Sequence, residues 1–227
     1  MSDPFEQAKR AAAEAAISEL PPEGTIGLGT GSTAKFFIDA LGRLVSQGRR
    51  YVGVPTSEAS RKQAAALGIP LLDDEGPWAI DVTVDGADEV SATLDLIKGG
   101  GAAHLREKIV NQASARNVIV VDETKLSDLL GEKWSVPLEV VPFAHLTTAR
   151  RLSRLGEPNL RMKGVTPVRT DAGNLVYDLA VEPIEDPAGL DRVLRAIAGV
   201  VETGLFVGRA DVIFVAGAAG VRRLGKL

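Results

Sequence analysis

The chain has 227 residues, 45% of them hydrophobic, which is ample for a buried core, yet only 4% aromatic, so Ala, Val, Leu and Ile must fill it. A net charge of −4 leaves no basic excess for nucleic acid or an anionic membrane, so an anionic ligand must be held by local groups. With no cysteine, disulfides and thiolate chemistry are excluded.

The segment from Met1 to Leu20 carries charges throughout and no apolar stretch of signal-peptide type. No run approaches the roughly 20 apolar residues of a membrane helix. A cytoplasmic protein is expected. The first helix opens with Asp3 as cap and Pro4 at its first position, and Pro21-Pro22 stop it. Thr25 to Leu28 reads as a short strand running into Gly29-Thr30-Gly31-Ser32-Thr33, followed by a helix from Ala34 to Ser46. Tyr51 to Val54 is a strand ended by Pro55, Ser57 to Leu67 a helix, and Ile69 to Leu72 a strand. Ile80 to Val84 is a strand leading into Asp85-Gly86-Ala87-Asp88-Glu89. Leu96-Ile97 leads to Lys98-Gly99-Gly100-Gly101, a helix from Ala102 to about Ser114, and a strand at Asn117 to Val121. Strands alternating with helices over short connections predict a parallel sheet covered on both faces.

After about Leu130 the pattern changes. Val136 to Val141 reads as a strand, Phe143 to Leu155 as a helix and Asn159 to Lys163 as a strand. Leu175 to Glu182 follows an Asp171-Ala172-Gly173-Asn174 turn as one arm of a hairpin. A helix at Leu190 to Ile197 and a strand at Val200 to Val207 complete a small α+β subdomain of split βαβ type. The apolar Val212 to Ala216 is expected to return to the main sheet. The division predicted is therefore 1–130 with 208–227 against 131–207.

Four segments carry candidate chemistry. Gly29-Thr30-Gly31-Ser32-Thr33 offers a tight turn, hydroxyl donors and the free amides of a helix N-terminus, as a phosphate requires; a plain strand-to-helix turn explains it equally. It lacks the Gly-Lys-Ser/Thr ending of a P-loop. Gly29-x-Gly31-x-x-Ala34 matches the dinucleotide fingerprint, but the second strand ends in Pro55-Thr56-Ser57 with no acid for a ribose, which makes a nicotinamide enzyme a weak rival. Asp85-Gly86-Ala87-Asp88-Glu89 lies where open α/β sheets bind ligands, beyond a strand's C-terminal end. Three acids in five residues must be solvated, paired or metal-bound. Lys98-Gly99-Gly100-Gly101 lets backbone amides approach a ligand beside one positive charge, or is simply a surface loop. Glu107 follows on the next helix; a Glu between two basic residues is ordinarily a solvated helix face. Only two histidines occur, His104 and His145, and both are read as surface or packing residues; without Cys or an HExxH motif no metal site is expected. The absence of a Gly-x-Ser-x-Gly elbow counts against an α/β-hydrolase.

Taken in order, Gly29-Thr30-Gly31-Ser32-Thr33-Ala34, Asp85-Gly86-Ala87-Asp88-Glu89, Lys98-Gly99-Gly100-Gly101-Ala102 and Arg106-Glu107-Lys108-Ile109 resemble ribose-5-phosphate isomerase of type A. Pro55-Thr56-Ser57, Leu138-Glu139-Val140-Val141-Pro142 and Gly204-Leu205-Phe206 extend the likeness over nearly the whole chain. The chain departs from the family pattern at His104-Leu105 and at Ala219, neither of them a motif residue. The resemblance implies a Rossmann-like main domain with a ferredoxin-like α+β lid, in homodimers or homotetramers. It implies a sugar-phosphate substrate and no cofactor. The family's catalytic base falls on Glu107, its acids on Asp85 and Asp88 and its lysine on Lys98. Substrate binding falls on Thr30, Gly31, Ser32, Thr33, Gly86, Ala87, Gly99, Gly100, Gly101 and Lys125. Aldose–ketose isomerisation suits these residue types, because one carboxylate can serve both carbons and a lysine can stabilise the enediolate. A sugar-phosphate deaminase or lactonase would call for a well-placed His, and a non-enzymatic sugar-phosphate sensor would not need Glu107 and Lys98.

Overall fold

The computed structural model describes residues 5–225. In chain order, α1 (Glu6–Ala15), β1 (Gly24–Leu28), α2 (Ser32–Ser46), β2 (Tyr51–Pro55), α3 (Glu58–Ala66) and β3 (Ile80–Asp85) come first. The short strands β4 (Glu89–Val90) and β5 (Leu96–Ile97) precede α4 (His104–Gln112) and β6 (Ser114–Asp122). Then come β7 (Val136–Val140), α5 (His145–Leu152), β8 (Glu157–Leu160), β9 (Met162–Lys163), β10 (Thr166–Pro167), β11 (Leu175–Ala180) and α6 (Pro187–Arg195). Strands β12 (Val200–Thr203), β13 (Leu205–Phe206), β14 (Val212–Gly217) and β15 (Gly220–Gly225) follow. The chain divides into two compact units: residues up to Gly86 with Arg106–Thr124 and the segment from Arg209 on, and Ala87–Leu105 with Lys125–Gly208.

The main unit is a six-stranded sheet in the order β15-β14-β6-β3-β1-β2. All neighbours pair in parallel except the β14–β15 hairpin. Strand side chains alternate between two faces. Ile26, Leu28, Val82, Val84, Val118, Val120, Val212 and Phe214 share one core with Ala12 and Ala13 of α1 and Phe37, Ile38 and Leu41 of α2. The apolar spacing in α2 is the helical one, which is why that helix lies flat on the sheet. On the other face Val54 and Ile80 meet Val110 of α4. Gly27 makes that approach possible: a Cβ there would stand 1.9 Å from Thr83 Oγ1 and 2.9 Å from Val110 Cγ1. Chain order leaves β1 towards β2 on one side and β3 towards β6 on the other. The topological switch point therefore lies between β1 and β3, and a crevice is expected beyond their C-terminal ends. As expected, Val212 to Ala216 rejoins this sheet, parallel to β6.

The second unit contains a four-stranded antiparallel sheet in the order β12-β7-β11-β8. With α5 and α6 this is the β-α-β-β-α-β arrangement of ferredoxin-like folds. Leu138, Val140, Tyr177, Leu179, Leu152 of α5 and Leu194 of α6 form its core. A small sheet, β13-β5-β4, belongs to the same unit.

Several boundaries differ from expectation. The Asp3 cap and Pro4 lie outside the described residues. Ile69 to Leu72 forms only an isolated bridge, Gly53 to Leu71. The expected strand at Val200 to Val207 is broken at Gly204, whose amide donates to Pro137 O at 2.7 Å; β12 pairs with β7, whereas β13 pairs with β5. Asn159 to Lys163 is likewise divided at Arg161, between β8 and β9. Helix α6 starts earlier than read, because Asp186 caps it through the Gly189 amide at 2.9 Å and Pro187 fits its first turn.

Candidate functional site

In the main unit the segment between β1 and α2 is fixed to the end of β3. The Gly29 amide donates to Val84 O at 3.0 Å, and the Thr30 amide donates to Asp85 Oδ1 at 3.0 Å. Gly86 donates its amide to the same oxygen at 2.7 Å. Asp85 is thus a buried carboxylate with one oxygen held by two amides. Gly29 is required by this closeness, since a Cβ would stand 2.2 Å from Asp85 Oδ1 and 2.5 Å from its Cα. Gly31 is required for the opposite reason: nothing lies within 4 Å, but its φ of 115° is one that L side chains rarely adopt.

Gly31 is the N-cap of α2 and supplies no side-chain cap. The first-turn amides therefore have no partner within the helix and point out of its positive end. Ser32 is exposed there and Thr33 is buried. Thr30, expected among the phosphate donors, is differently engaged. Its hydroxyl lies 2.7 Å from Thr56 Oγ1, 2.8 Å from Ser57 Oγ and 3.2 Å from Ser60 Oγ. Ser60 donates on to Gly29 O at 2.6 Å and Thr56 to Leu28 O at 3.0 Å. This buried hydroxyl cluster rigidifies the loop from behind. The sequence showed Pro55-Thr56-Ser57 as a strand end without an acid and as part of a resemblance, but not Ser60; hydroxyls clustered after the second strand were the available signal.

Helix α4 carries Glu107 in its first turn. Flanked by Arg106 and Lys108, it reads as a solvated residue, yet it is only 3% exposed. Val110 and Asn111 are buried on the same helix, whereas Ile109 is 50% exposed. Arg106 pairs with Glu58 of α3 at 3.0 Å.

The second unit holds the remaining candidates. Asp88 accepts the Gly100 amide through Oδ2 at 2.7 Å, and its own amide donates to Ile97 O at 2.9 Å. Lys98 is buried, with its Nζ 5.4 Å from the centroid of the Phe206 ring. In the loop that follows, Gly99 has φ 117° and Ala102 φ 58°. His104 packs against it: a Cβ on Gly99 would stand 2.8 Å from His104 Nδ1. That is the packing role read for this histidine. Lys125 places Nζ 5.2 Å from the centroid of the Trp134 ring. His145 Nδ1 lies 2.7 Å from the Tyr177 hydroxyl, whose pKa burial raises.

The three acids of residues 85–89 are not left to repel one another. Asp85 and Asp88 take amides as described. Glu89 is fully buried and accepts from Ser127 Oγ at 2.7 Å and from the amides of Gly131 and Lys133 at 2.8 and 2.9 Å. Glu89 is thus a structural anchor, a distinction its sequence position did not reveal. Among the described residues no group of three or more His, Asp or Glu side chains is placed to hold a metal ion.

Comparison with known proteins gives a consistent answer. The sequence model of a family described as ribose 5-phosphate isomerase A (phosphoriboisomerase A) matches residues 52–220. The ribose-5-phosphate isomerase A of Desulfatibacillum aliphaticivorans is 45% identical over 220 residues, covering 95% of this chain and 96% of the relative. Among solved structures, ribose 5-phosphate isomerase A from Methanocaldococcus jannaschii superposes with a TM-score of 0.92 at 39% identity, over 98% of this chain and 100% of that one. A D-ribose-5-phosphate isomerase in complex with phospho-erythronic acid gives 0.94 at 40% identity, over 97% and 99%.

Proposed function

The chain belongs to the ribose 5-phosphate isomerase A family and is an isomerase of ribose 5-phosphate, and we propose that it forms ribulose 5-phosphate by proton transfer through an enediolate, with Glu107 as the base. The observation that carries this reading is the burial of Glu107 in the first turn of α4, where its flanking residues would otherwise make it a solvated one. The related enzyme bound to phospho-erythronic acid supports a sugar-phosphate ligand of this class.

The Glu107 carboxylate takes the proton from carbon 2 of the open-chain aldose. The electron pair left behind forms the carbon 1–carbon 2 double bond, and the negative charge passes to the oxygen on carbon 1. Lys98 and the amides of Gly99 and Gly101 stabilise that oxyanion, while the Gly100 amide holds Asp88 beside them. The proton on the carbon 2 hydroxyl moves to the carbon 1 oxygen, and Glu107 returns its proton to carbon 1, leaving the ketose. Of the two acids, Asp88 is assigned the hydroxyl-proton and ring-opening steps. Its Oδ2 is taken by Gly100, and among the described residues its other oxygen makes no hydrogen bond. Asp85 has a different task, holding the Thr30 and Gly86 amides and thereby the loop's shape, with Ala87 continuing the backbone from it. The phosphate is assigned to the first-turn amides of α2, to Gly31, Ser32 and Thr33, and to Lys125. Thr30 serves as the loop's anchor.

Two expectations travel with this reading: a cytoplasmic enzyme, and a homodimer or homotetramer, which light scattering of the purified protein measures. No helix among the described residues is long and apolar enough to cross a membrane. The direct test is ketose formation from ribose 5-phosphate by exhaustively chelated protein. Full activity is expected. Loss on chelation with recovery on adding magnesium or manganese would assign a metal to Asp85 and Asp88 and overturn the cofactor-free scheme.

A further inference from the structure

The glycine loop of the second unit is held by a residue that no sequence motif singled out. Arg161 occupies the break between β8 and β9, and its own amide donates to Val176 O at 2.9 Å. Its guanidinium faces two ways. Nε donates to Asp178 Oδ2 at 2.8 Å while Nη2 reaches Oδ1, a bidentate fork. Nη1 donates to Gly99 O at 2.7 Å and to Gly100 O at 3.2 Å. Arg161 is largely buried, its side chain 17% exposed. Arg161, Asp178 and Gly100 line a cavity of about 350 Å³ with Lys133, Trp134 and Ser135.

The loop needs such a clamp. Three consecutive glycines have the largest conformational freedom to lose on ordering. Both Gly99 and Ala102 sit at positive φ, and for alanine that conformation is strained. Local hydrogen bonds within the loop are few: Ala102 donates to Gly99 O at 3.0 Å, the same carbonyl that Arg161 holds. On its amide side the loop is fixed by Asp88 at Gly100; on its carbonyl side it is fixed by Arg161. Fixing a peptide's carbonyl also fixes the direction of the next residue's amide, because the peptide unit is planar. Arg161 on Gly99 O sets the amide of Gly100, which Asp88 accepts, and Arg161 on Gly100 O sets that of Gly101.

We propose that Arg161, oriented by the Asp178 fork, is a positioning residue that aims the Gly101 amide, and holds the Gly100 amide on Asp88, for the isomerisation. The proposal rests on the reading that this loop serves the oxyanion. A lysine cannot replace Arg161, since one ammonium does not reproduce the fork and the carbonyl contact in one plane.

The test uses the full chain and two readouts. In Arg161→Met, hydrogen exchange of residues 98–103 should speed up by at least about tenfold. The kcat for ribose 5-phosphate should fall about 10- to 100-fold, as expected for a displacement on the order of 1 Å. KM should change less than kcat, Arg161→Lys should not recover wild-type kcat, and added guanidinium ion should restore part of it in Arg161→Met only. Unchanged exchange of the loop overturns the clamp, and a loosened loop with kcat within about twofold of wild type overturns its role in the reaction. Should Arg161→Met fail to fold, Asp178→Asn, which keeps the arginine but weakens its fork, is read by the same two measurements. Gly100→Ala separates the premise from the proposal. Its Cβ would stand 2.6 Å from Asp88 Oδ1 and so pushes the loop and the Asp88 carboxylate apart with Arg161 intact. Full activity there removes the loop from the reaction and the proposal with it. A loss there beside a fully active Arg161→Met sinks only the arginine.

Discussion

Gly29→Ala should be among the most damaging single-methyl changes in the main unit, and worse than the same change two residues later. The new Cβ would stand 2.2 Å from Asp85 Oδ1, 2.4 Å from Cγ and 2.5 Å from the Asp85 Cα. The last of these is backbone, within β3, whose neighbours β1 and β6 hold it on both sides. Asp85 cannot rotate away, so the loop must lift and break the Thr30 amide bond to the carboxylate. Losing a hydrogen bond to a charged group costs about 1.5–3 kcal/mol, and overpacking adds about 1–3 kcal/mol. A destabilisation of about 2.5–6 kcal/mol follows. Gly31→Ala meets no neighbour, so only its backbone strain counts, about 1–3 kcal/mol. Urea unfolding followed by far-ultraviolet circular dichroism ranks the two. If Gly29→Ala is no worse than Gly31→Ala, the tie between β1 and Asp85 does not support the fold as argued.

Three further outcomes follow from the same geometry. Glu107→Gln should lower kcat by at least about 10³-fold with little change in substrate affinity, because the lost step is proton transfer; steady-state kinetics within about tenfold of wild type would remove Glu107 from the mechanism. Replacing Ser32 and Thr33 together with alanine should raise KM for the phosphorylated sugar by weakening donors worth about 1.5–3 kcal/mol each, and an unchanged KM would place the phosphate elsewhere. Glu19 governs part of the acid stability. Burial pushes its pKa up, but hydrogen bonding and charge from Arg223 at 2.9 Å and Arg116 at 2.7 Å outweigh that and leave it below the ordinary 4.5. A lowered folded pKa means stability that is present above 4.5 and lost as pH falls through the folded value. Urea midpoints measured from about pH 5 downward should therefore fall less steeply in Glu19→Gln than in wild type; parallel slopes would deny the linkage.

Much of the fold was legible because its signals are local. Alternating apolar strands and capped helices mark the parallel sheet, and the change of pattern after Leu130 marks the antiparallel one. What escaped was set by contacts distant in sequence. Nothing near Gly204 announces that the strand changes partners there; the cause is the approach of the Lys98 carbonyl, 2.2 Å from where its Cβ would be. β15, with Arg222 and Arg223, is too charged to read as a strand, yet it pairs along β14 as an exposed sheet edge. At the site, the order of the motifs was legible but the division of labour was not. Asp85, Asp88 and Glu89 look alike in sequence, and only the amides that each one accepts distinguish them. The ring of Thr56, Ser57 and Ser60 around the Thr30 hydroxyl was likewise not legible in the sequence.

The central claim is that the hydrogen moves as a proton carried by a carboxylate. Proton nuclear magnetic resonance of ribulose 5-phosphate formed in heavy water, taken early in the reaction, tests it most directly. A proton resting on Glu107 can exchange with solvent before it is returned, so deuterium should be found at carbon 1, in part if the closed site slows exchange. Complete retention of the original hydrogen after many turnovers in both directions would point to a hydride shift and contradict the roles assigned to Glu107 and Lys98.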